Sequence, residues 1–455
     1  MKITFSNLGT IRRTTLDLAP LTVIIGPNNS GKTYVAYATY GLFYGGKGSI
    51  VLPPSSRAVF RGNEVQFHVD KRFEAAVARM VCSWSEELGG QLATFFQDSS
   101  GKLFSKTRLR LDIESADVRA AVEGTLKRWP YTEQTSFMGD TVAVATATDE
   151  EVRGVAYEYF VAFIEHMGSE LLPRPLLLPA ERNAFIITYK MLANRRYKLL
   201  KDAQRELFTK RSVTKRQLDL LREQGEVRYP RPVEDFLDFL TDVELSAGPL
   251  PRSKSPFQRL ADEIEQKIQR GNRTHFRPTR LGGQEIKVEV KRGLSIDLYN
   301  ASSSIKQLAP LLLYLRFRAA PNDFLIIDEP EMGLHPESQA RLLEALAILV
   351  NLGVRVLVTT HSPYIMAHLN NLVHGDVEHP RRLKAQAPVL YLGDARAFLP
   401  MSKISAYEMQ GGELRSLKDP DYGVRWDTLS DVSVELQQKF FAIDMKGSEA
   451  RGEKE

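Results

Sequence analysis

The chain has 455 residues, with 61 Lys plus Arg against 56 Asp plus Glu, a formal net charge of +5, 43% hydrophobic residues and a single cysteine, Cys82. At roughly 150 residues per unit the length suggests about three units, and the apolar fraction excludes a disordered chain. One cysteine excludes an internal disulfide and any C-x-x-C metal or redox site, which points to a reducing cytoplasm.

In chain order, residues Lys2 to Phe5 and Thr22 to Ile25 read as strands, and the second runs through Gly26 into a helix from about Lys32 to Tyr44. The opening segment lacks the uninterrupted apolar core of a signal peptide. After Gly45-Gly46 the pattern becomes irregular: helix over Lys71 to Phe96, alternation over Thr107 to Ile113, then helices over Asp117 to Trp129 and Glu150 to Leu172. A short apolar strand, Leu176 to Leu178, ends at Pro179-Ala180-Glu181-Arg182.

From Asn183 to Gly271 nearly everything reads helical, and the stretch Lys190 to Arg292 carries 24 Lys plus Arg against 15 Asp plus Glu. The positive field is therefore local, either an interface for an acidic partner or nucleic acid or a solvated helical face. Strands are predicted at Ile286 to Val290 and Leu294 to Leu298, followed by a helix from Ser304 to about Phe317. Next come an apolar strand closing on acids, Phe324 to Asp328, a helix over Pro336 to Leu349 and a strand over Arg355 to Thr360. Strands alternating with helices imply an α/β fold with a mixed, mainly parallel sheet covered on both faces. The most apolar later stretch, Leu342 to Thr360, is interrupted by Glu344, Asn351 and Arg355, so no membrane span is predicted.

Gly26-Pro27-Asn28-Asn29-Ser30-Gly31-Lys32-Thr33 fits G-x-x-x-x-G-K-[ST] and stands between an apolar strand and a helix, where a phosphate-binding loop belongs. The glycines let successive N–H groups converge on phosphate oxygens, and the helix start adds its positive dipole end. Lys32 would supply charge at the β and γ phosphates, and Thr33 a hydroxyl to Mg²⁺. Almost three hundred residues later, Asp328 and Glu329 close the strand Phe324-Leu325-Ile326-Ile327. Asp328 can hold the Mg²⁺ shell, while Glu329 can orient and deprotonate an attacking water. Leu357-Val358-Thr359-Thr360-His361 ends another apolar strand on a histidine that can hydrogen-bond a γ phosphate. His335 is expected near the same surface, and His368, His374 and His379 read as loop histidines.

The set GPNNSGKT, FLIIDEPEMGLHP and VLVTTHSP, in this order and spacing, resembles the ATP-binding-cassette ATPases of the SMC, Rad50 and RecF kind. More narrowly it is similar to the AAA_15/AAA_21 class found in overcoming-lysogenisation-defect nucleases and in anti-phage systems such as PARIS, Gabija and Septu. The resemblance implies an ABC-type P-loop ATPase head split by an insertion, with ATP and Mg²⁺ as its ligands. It implies a homodimer or higher homo-oligomer in which one subunit's phosphate loop faces the other's signature segment. The position matching that signature is Asn300 to Gln307, where Ser302, Ser303 and Ser304 stand in place of a glycine pair; an ordinary serine N-cap is the other reading. Gln66 is the candidate for the glutamine near Mg²⁺, and the role of Arg182 stays open.

The expected organisation is an N-terminal half of the head over 1–182 with an inserted α+β segment, a basic helical insertion forming a short arm over 183–285, a C-terminal half over 286–400, and a small appendage over 401–455 with a disordered tail from Lys446. Arg195, Arg196, Lys198, Lys201, Lys210, Arg211, Lys215 and Arg216 in the insertion could clamp double-stranded DNA or dock an acidic protein. The metal site of a TOPRIM nuclease is not expected, because the lone D-x-D, Asp419-Pro420-Asp421, contains a proline and follows no apolar strand. The expected function is a cytoplasmic ATPase regulating a separate effector, a nuclease or toxin, in anti-phage defence. A RecF-like DNA-binding ATPase is the alternative.

Overall fold

The computed structural model describes residues 1–46, 58–61, 64–98, 100–128, 135–138, 141–145, 152–192, 229–246, 253–279, 284–373, 379–419, 423–425 and 438–439. Its strands are β1 (Lys2–Leu8), β2 (Ile11–Asp17), β3 (Leu21–Ile25), β4 (Ala58–Arg61), β5 (Glu64–His68), β6 (Arg108–Asp112), β7 (Thr135–Met138), β8 (Thr141–Ala145), β9 (Pro175–Leu178), β10 (Arg273–Pro278), β11 (Gln284–Lys291), β12 (Leu294–Asp297), β13 (Phe324–Asp328), β14 (Arg355–Thr360), β15 (Ile404–Gln410) and β16 (Glu413–Ser416), with a two-residue pair at Lys418–Asp419 and Gly423–Val424. The helices are α1 (Lys32–Gly45), α2 (Lys71–Gly89), α3 (Leu92–Phe95), α4 (Ser115–Arg128), α5 (Val152–Leu171), α6 (182–192), α7 (Arg231–Ser246), α8 (Pro256–Lys267), α9 (Ser303–Phe317), α10 (Pro336–Asn351), α11 (Pro363–Val373) and α12 (Pro380–Gln386).

The central sheet has six strands in the order β16-β15-β3-β14-β13-β9. β15, β3, β14, β13 and β9 run parallel, and β16 closes one edge antiparallel. Such strands are covered on both faces and read as continuous apolar runs, as FLIID and LTVII do. The two-residue period of a strand divides these runs between two cores. Val23, Ile25, Leu325, Ile327, Val356 and Val358 face a cluster built with α7, α8, α9, α10 and α11. Ile24, Leu177, Phe324, Ile326 and Leu357 face a second cluster built with α1, α2, α4, α5 and the hairpin β1–β2. Each fully buried aliphatic side chain contributes about 1.5–3 kcal/mol. A one-residue slip of β13 would exchange its two apolar sets between the cores.

The fold is thus the expected mixed α/β architecture with a mainly parallel central sheet, but its parts divide differently from the sequence reading. Lys2 to Phe5 is half of a hairpin, paired antiparallel with β2 and with β6. The segment after Gly46 includes a four-stranded antiparallel sheet in the order β4-β5-β8-β7, which the sequence reading left irregular. The helix over Lys71 to Phe96 breaks at Gly89-Gly90, where a side chain on Gly89 would meet the backbone of Thr107 and Leu109 at 3.0–3.1 Å. The predicted helical insertion over 183–285 also separates. Phe236, Phe239, Leu240, Leu260 and Ile264 of α7 and α8 belong to the same core as the central sheet, while residues 273–278 form β10, paired antiparallel with β11. All eight basic residues named in that insertion, Arg195 to Arg216, lie outside the described residues. The boundary expected at 401 falls just before β15, a member of the central sheet, so residues 404–416 complete the head instead of forming an appendage. The tail from Lys446 lies outside the described residues.

Candidate functional site

β3 delivers the chain into the loop Gly26–Gly31 at the carboxyl end of the parallel sheet, where open α/β folds place their ligands. Gly26 has no room for a side chain: a Cβ there would meet the Met409 carbonyl oxygen at 2.8 Å. Gly31 adopts φ +102°, a conformation that favours glycine, and is the N-cap of α1. That cap makes no side-chain hydrogen bond and the first turn holds no acidic residue, leaving the helix start open to an anion. Asn29 lies in the left-handed region at φ +59°, and Pro27, Asn28 and Asn29 are exposed. The Ser30 hydroxyl is buried with no hydrogen-bond partner among the described residues. The Lys32 ammonium donates to the carbonyls of Gly26 at 3.0 Å and Pro27 at 2.9 Å. The uncapped helix start, the orphan hydroxyl and a lysine folded back on the loop fit a triphosphate cradle.

The acidic strand end meets this loop. The Thr33 hydroxyl donates to Asp328 Oδ2 at 3.1 Å, and the Thr359 hydroxyl donates to Asp328 Oδ1. Burial pushes the Asp328 carboxyl up, against the opposing effect of these hydroxyls. Burial lowers the Lys32 ammonium, while the negative charges of Glu329, Asp328 and Glu331 oppose that shift. His361 Nε2 lies 2.8 Å from Glu329 Oε1, and both ring nitrogens lie 3.3 Å from Lys32 Nζ. Thr33 and Asp328 are the pair able to hold Mg²⁺. Among the described residues no group of three or more His, Cys, Asp and Glu side chains is placed to bind a metal alone.

The structure therefore brings together Lys32, Thr33, Asp328, Glu329 and His361, residues up to 329 positions apart. Ser302, Ser303 and Ser304 stand at the exposed start of α9, with Ser302 as N-cap accepting from the Ile305 N–H at 3.4 Å and lying 2.9 Å from the Ser304 hydroxyl. None of their described hydrogen bonds reaches the phosphate loop of the same chain. A Cβ on Gly333, in the loop that follows Glu329, would sit 3.4 Å from Ser303 Cβ, so the serines adjoin that loop. Gln66 is on β5 in the four-stranded sheet. His335 caps α10, its Nδ1 3.4 Å from the Glu337 N–H, and His379 is the N-cap of α12.

His368 is not a loop residue: it is buried on α11, with Nε2 2.7 Å from Glu344 Oε1. His374 lies outside the described residues. Glu331, which the sequence reading passed over, accepts from the His361 N–H at 2.6 Å and the Thr360 hydroxyl at 2.8 Å, so it sets the backbone carrying the site's histidine. Its signal was only a second carboxylate two residues after Glu329. Arg182 lies buried beneath the carboxyl end of β13.

Residues 183–367 match the AAA_21 family, described as "AAA domain, putative AbiEii toxin, Type IV TA system". The match begins after the phosphate loop and takes in Ser302 to Ser304, Asp328, Glu329 and His361. No curated protein matches. Among solved structures, the Smc head domain with an extended coiled coil bound to the C-terminal domain of ScpA from Pyrococcus furiosus is 13% identical, covering 96% of this chain and 98% of that one at a TM-score of 0.34. The SmcHead bound to the C-winged helix domain of ScpA is 12% identical over 91% and 96% at a TM-score of 0.37. The SMC head domain from Thermotoga maritima is 13% identical over 81% and 90% at a TM-score of 0.28. Over residues 183–367 the chain is thus similar to AAA domains of this family.

Proposed function

We propose that this chain, which matches the AAA_21 family over residues 183–367, is an ATPase that binds and hydrolyses ATP with Mg²⁺, oligomerises across its nucleotide sites, and uses ATP to hold or release a separate nuclease or toxin in anti-phage defence. The observation that carries the ATPase reading is the meeting of Lys32 with His361 at 3.3 Å and of His361 with Glu329 at 2.8 Å beside an uncapped helix start.

Bound Mg²⁺ would neutralise and orient phosphate oxygens. Thr33 and Asp328 would hold it, their oxygens already 3.1 Å apart. Lys32 would exchange its two loop carbonyls for phosphate oxygens, a stronger charge-assisted pairing. Glu329 would take the proton of the attacking water. His361, within reach of both Lys32 and Glu329, would report on the γ phosphate by hydrogen bonding. Ser302 to Ser304 of a second copy would contribute hydroxyls and the N–H groups that open α9. The family's description, which names a toxin and a toxin–antitoxin system, supports the effector reading.

Calorimetry and turnover assays on the full chain test the ATPase: Mg²⁺-dependent ATP binding with phosphate release is expected, and absence of binding sinks it. Light scattering with Glu329→Gln tests assembly, with ATP expected to raise the molar mass and the variant to hold it there. A nuclease or toxin gene adjoining this one, whose product is toxic alone and is suppressed on co-expression with this chain, would support the regulatory role; co-expression without suppression would count against it.

A second reading, an ATPase that binds duplex DNA, has in its favour the 24 basic against 15 acidic residues of Lys190 to Arg292. Affinity for duplex DNA falling steeply with salt and lost on reversing Lys210, Arg211, Lys215 and Arg216 would favour it.

A further inference from the structure

Arg182 opens α6, immediately after the turn that ends β9, and is 2% exposed. Its guanidinium is spent almost entirely on backbone. Nη1 donates to the carbonyls of Pro179 at 2.9 Å and Asp328 at 2.7 Å, Nη2 to the carbonyl of Glu329 at 3.0 Å, and Nε to the carbonyl of Gln307 at 3.2 Å. With the Gln307 amide turned so that its oxygen faces the fork, that oxygen also accepts from Nη2 at 2.7 Å. Gln307 is itself 2% exposed and lies on α9, three residues after the serine segment. One side chain thus ties three elements: the end of β9, the acidic end of β13 and the serine-capped helix.

The residue held this way is unusual. Glu329 has φ +49°, a conformation that L residues other than Asn and Asp rarely adopt, and Pro330 behind it disfavours the right-handed helical alternative. Such backbone persists only where the surroundings over-determine it. Here the Glu329 N–H donates to the Thr359 carbonyl at 2.9 Å and its carbonyl accepts from Arg182, so both ends of the residue are fixed while its carboxylate reaches His361. A buried cation supported mainly by neutral carbonyls carries a desolvation cost, and burial lowers the Arg182 guanidinium to about 10, which leaves it charged at neutral pH. A merely space-filling role would be served better by an apolar side chain.

We propose that Arg182 is a positioning residue: it fixes the strained backbone of Glu329 so that the carboxylate meets the attacking water, and through Gln307 it makes that position depend on α9. The inference rests on the proposed role of Glu329 as base. A shift in contacts at Ser302 to Ser304 would then reach Glu329 through one guanidinium.

The test is steady-state turnover and calorimetric Mg-ATP binding on the full-length chain, with wild type measured first. No binding or turnover in wild type overturns the proposed function itself, and this inference with it. Given an active wild type, Arg182→Lys, which keeps the charge but has three donors on one atom and so cannot serve all four carbonyls of 179, 307, 328 and 329, is expected to lower kcat at least about tenfold through misplacement of the base. Its ATP Kd is expected to stay within about threefold of wild type, because Arg182 holds residues 328 and 329 by their carbonyls and makes no described hydrogen bond to Gly26–Thr33. In the Glu329→Gln background the same substitution should cost less than about twofold, since residues acting as one unit are not additive. An unchanged kcat, a loss of ATP affinity parallel to the loss of kcat, or full additivity with Glu329→Gln overturns the proposal. Should Arg182→Lys fail to fold, Gln307→Ala carries the test: a several-fold fall in kcat at constant Kd supports it, and an unaltered kcat overturns it.

Discussion

Glu329 and His361 meet at 2.8 Å, and Glu344 and His368 meet at 2.7 Å, the first pair at the ends of β13 and β14, the second on helices α10 and α11 that follow those strands. The side chains of the first pair are 28% and 27% exposed, while those of Glu344 and His368 are 0% and 9% exposed. Glu344 also accepts from the N–H groups of Tyr391 and Leu392 at 3.0 and 2.7 Å, and His368 Nδ1 lies 3.3 Å from the Asn371 amide. Both oxygens of that carboxylate are hydrogen-bonded, and it tethers Tyr391 and Leu392 to the core. Glu329 has one described side-chain partner, a strained backbone and a lysine across the histidine from it. The same two residue types thus make a staple where both carboxylate oxygens are paired and, at the proposed site, a pair with acceptor capacity left over.

The largest expected effect separates the two pairs by chemistry. Glu329→Gln should lower turnover by about 10²–10⁴-fold, the range of a general base, while ATP binding persists; phosphate release and calorimetry measure both. Lys32→Ala should weaken Mg-ATP binding by about 30-fold or more, ~2 kcal/mol for a charge-assisted contact, read by calorimetry, and chelation of Mg²⁺ should weaken binding to wild type as well. His368→Ala should leave kcat within about twofold but destabilise the fold by ~2 kcal/mol, because a buried carboxylate loses a partner; denaturant titration reports it, and a selective loss of turnover would break the comparison.

The smallest effect is one of pH. Burial lowers the Lys32 ammonium, so affinity for the triphosphate should fall with rising pH before the ordinary lysine range is reached. The sign for stability is opposite: the unfolded lysine binds its proton more tightly, so the nucleotide-free fold gains from this group as pH rises through the same window. Calorimetry across the alkaline range, with Lys32→Arg as the control that stays charged, checks the direction.

Much of the sheet was legible because strands buried on both faces must be apolar throughout, as Leu21–Ile25, Phe324–Asp328 and Arg355–Thr360 nearly are. β15 escaped notice because Ile404-Ser405-Ala406-Tyr407-Glu408 mixes polar and small residues, and its burial follows from pairing with β3 and β16. β10, RTHFRP, shows neither an apolar run nor a clean alternation. The phosphate-loop pattern was readable since its residues are contiguous. The work done by Arg182 was not, because its partners are mostly backbone carbonyls, which every residue carries. Glu344 and His368 are 24 positions apart and no local pattern joins them.

β3, which leads into the loop at Gly26, has β14 on one side and β15 on the other, strands that begin at Arg355 and Ile404. During synthesis the ribosome must deliver more than three hundred further residues before either neighbour exists, so β3 waits with unmet hydrogen bonds on both edges. An unfinished or prematurely terminated chain therefore cannot assemble the nucleotide cradle, and nascent fragments stay silent toward ATP while exposing surfaces that chaperones and proteases recognise.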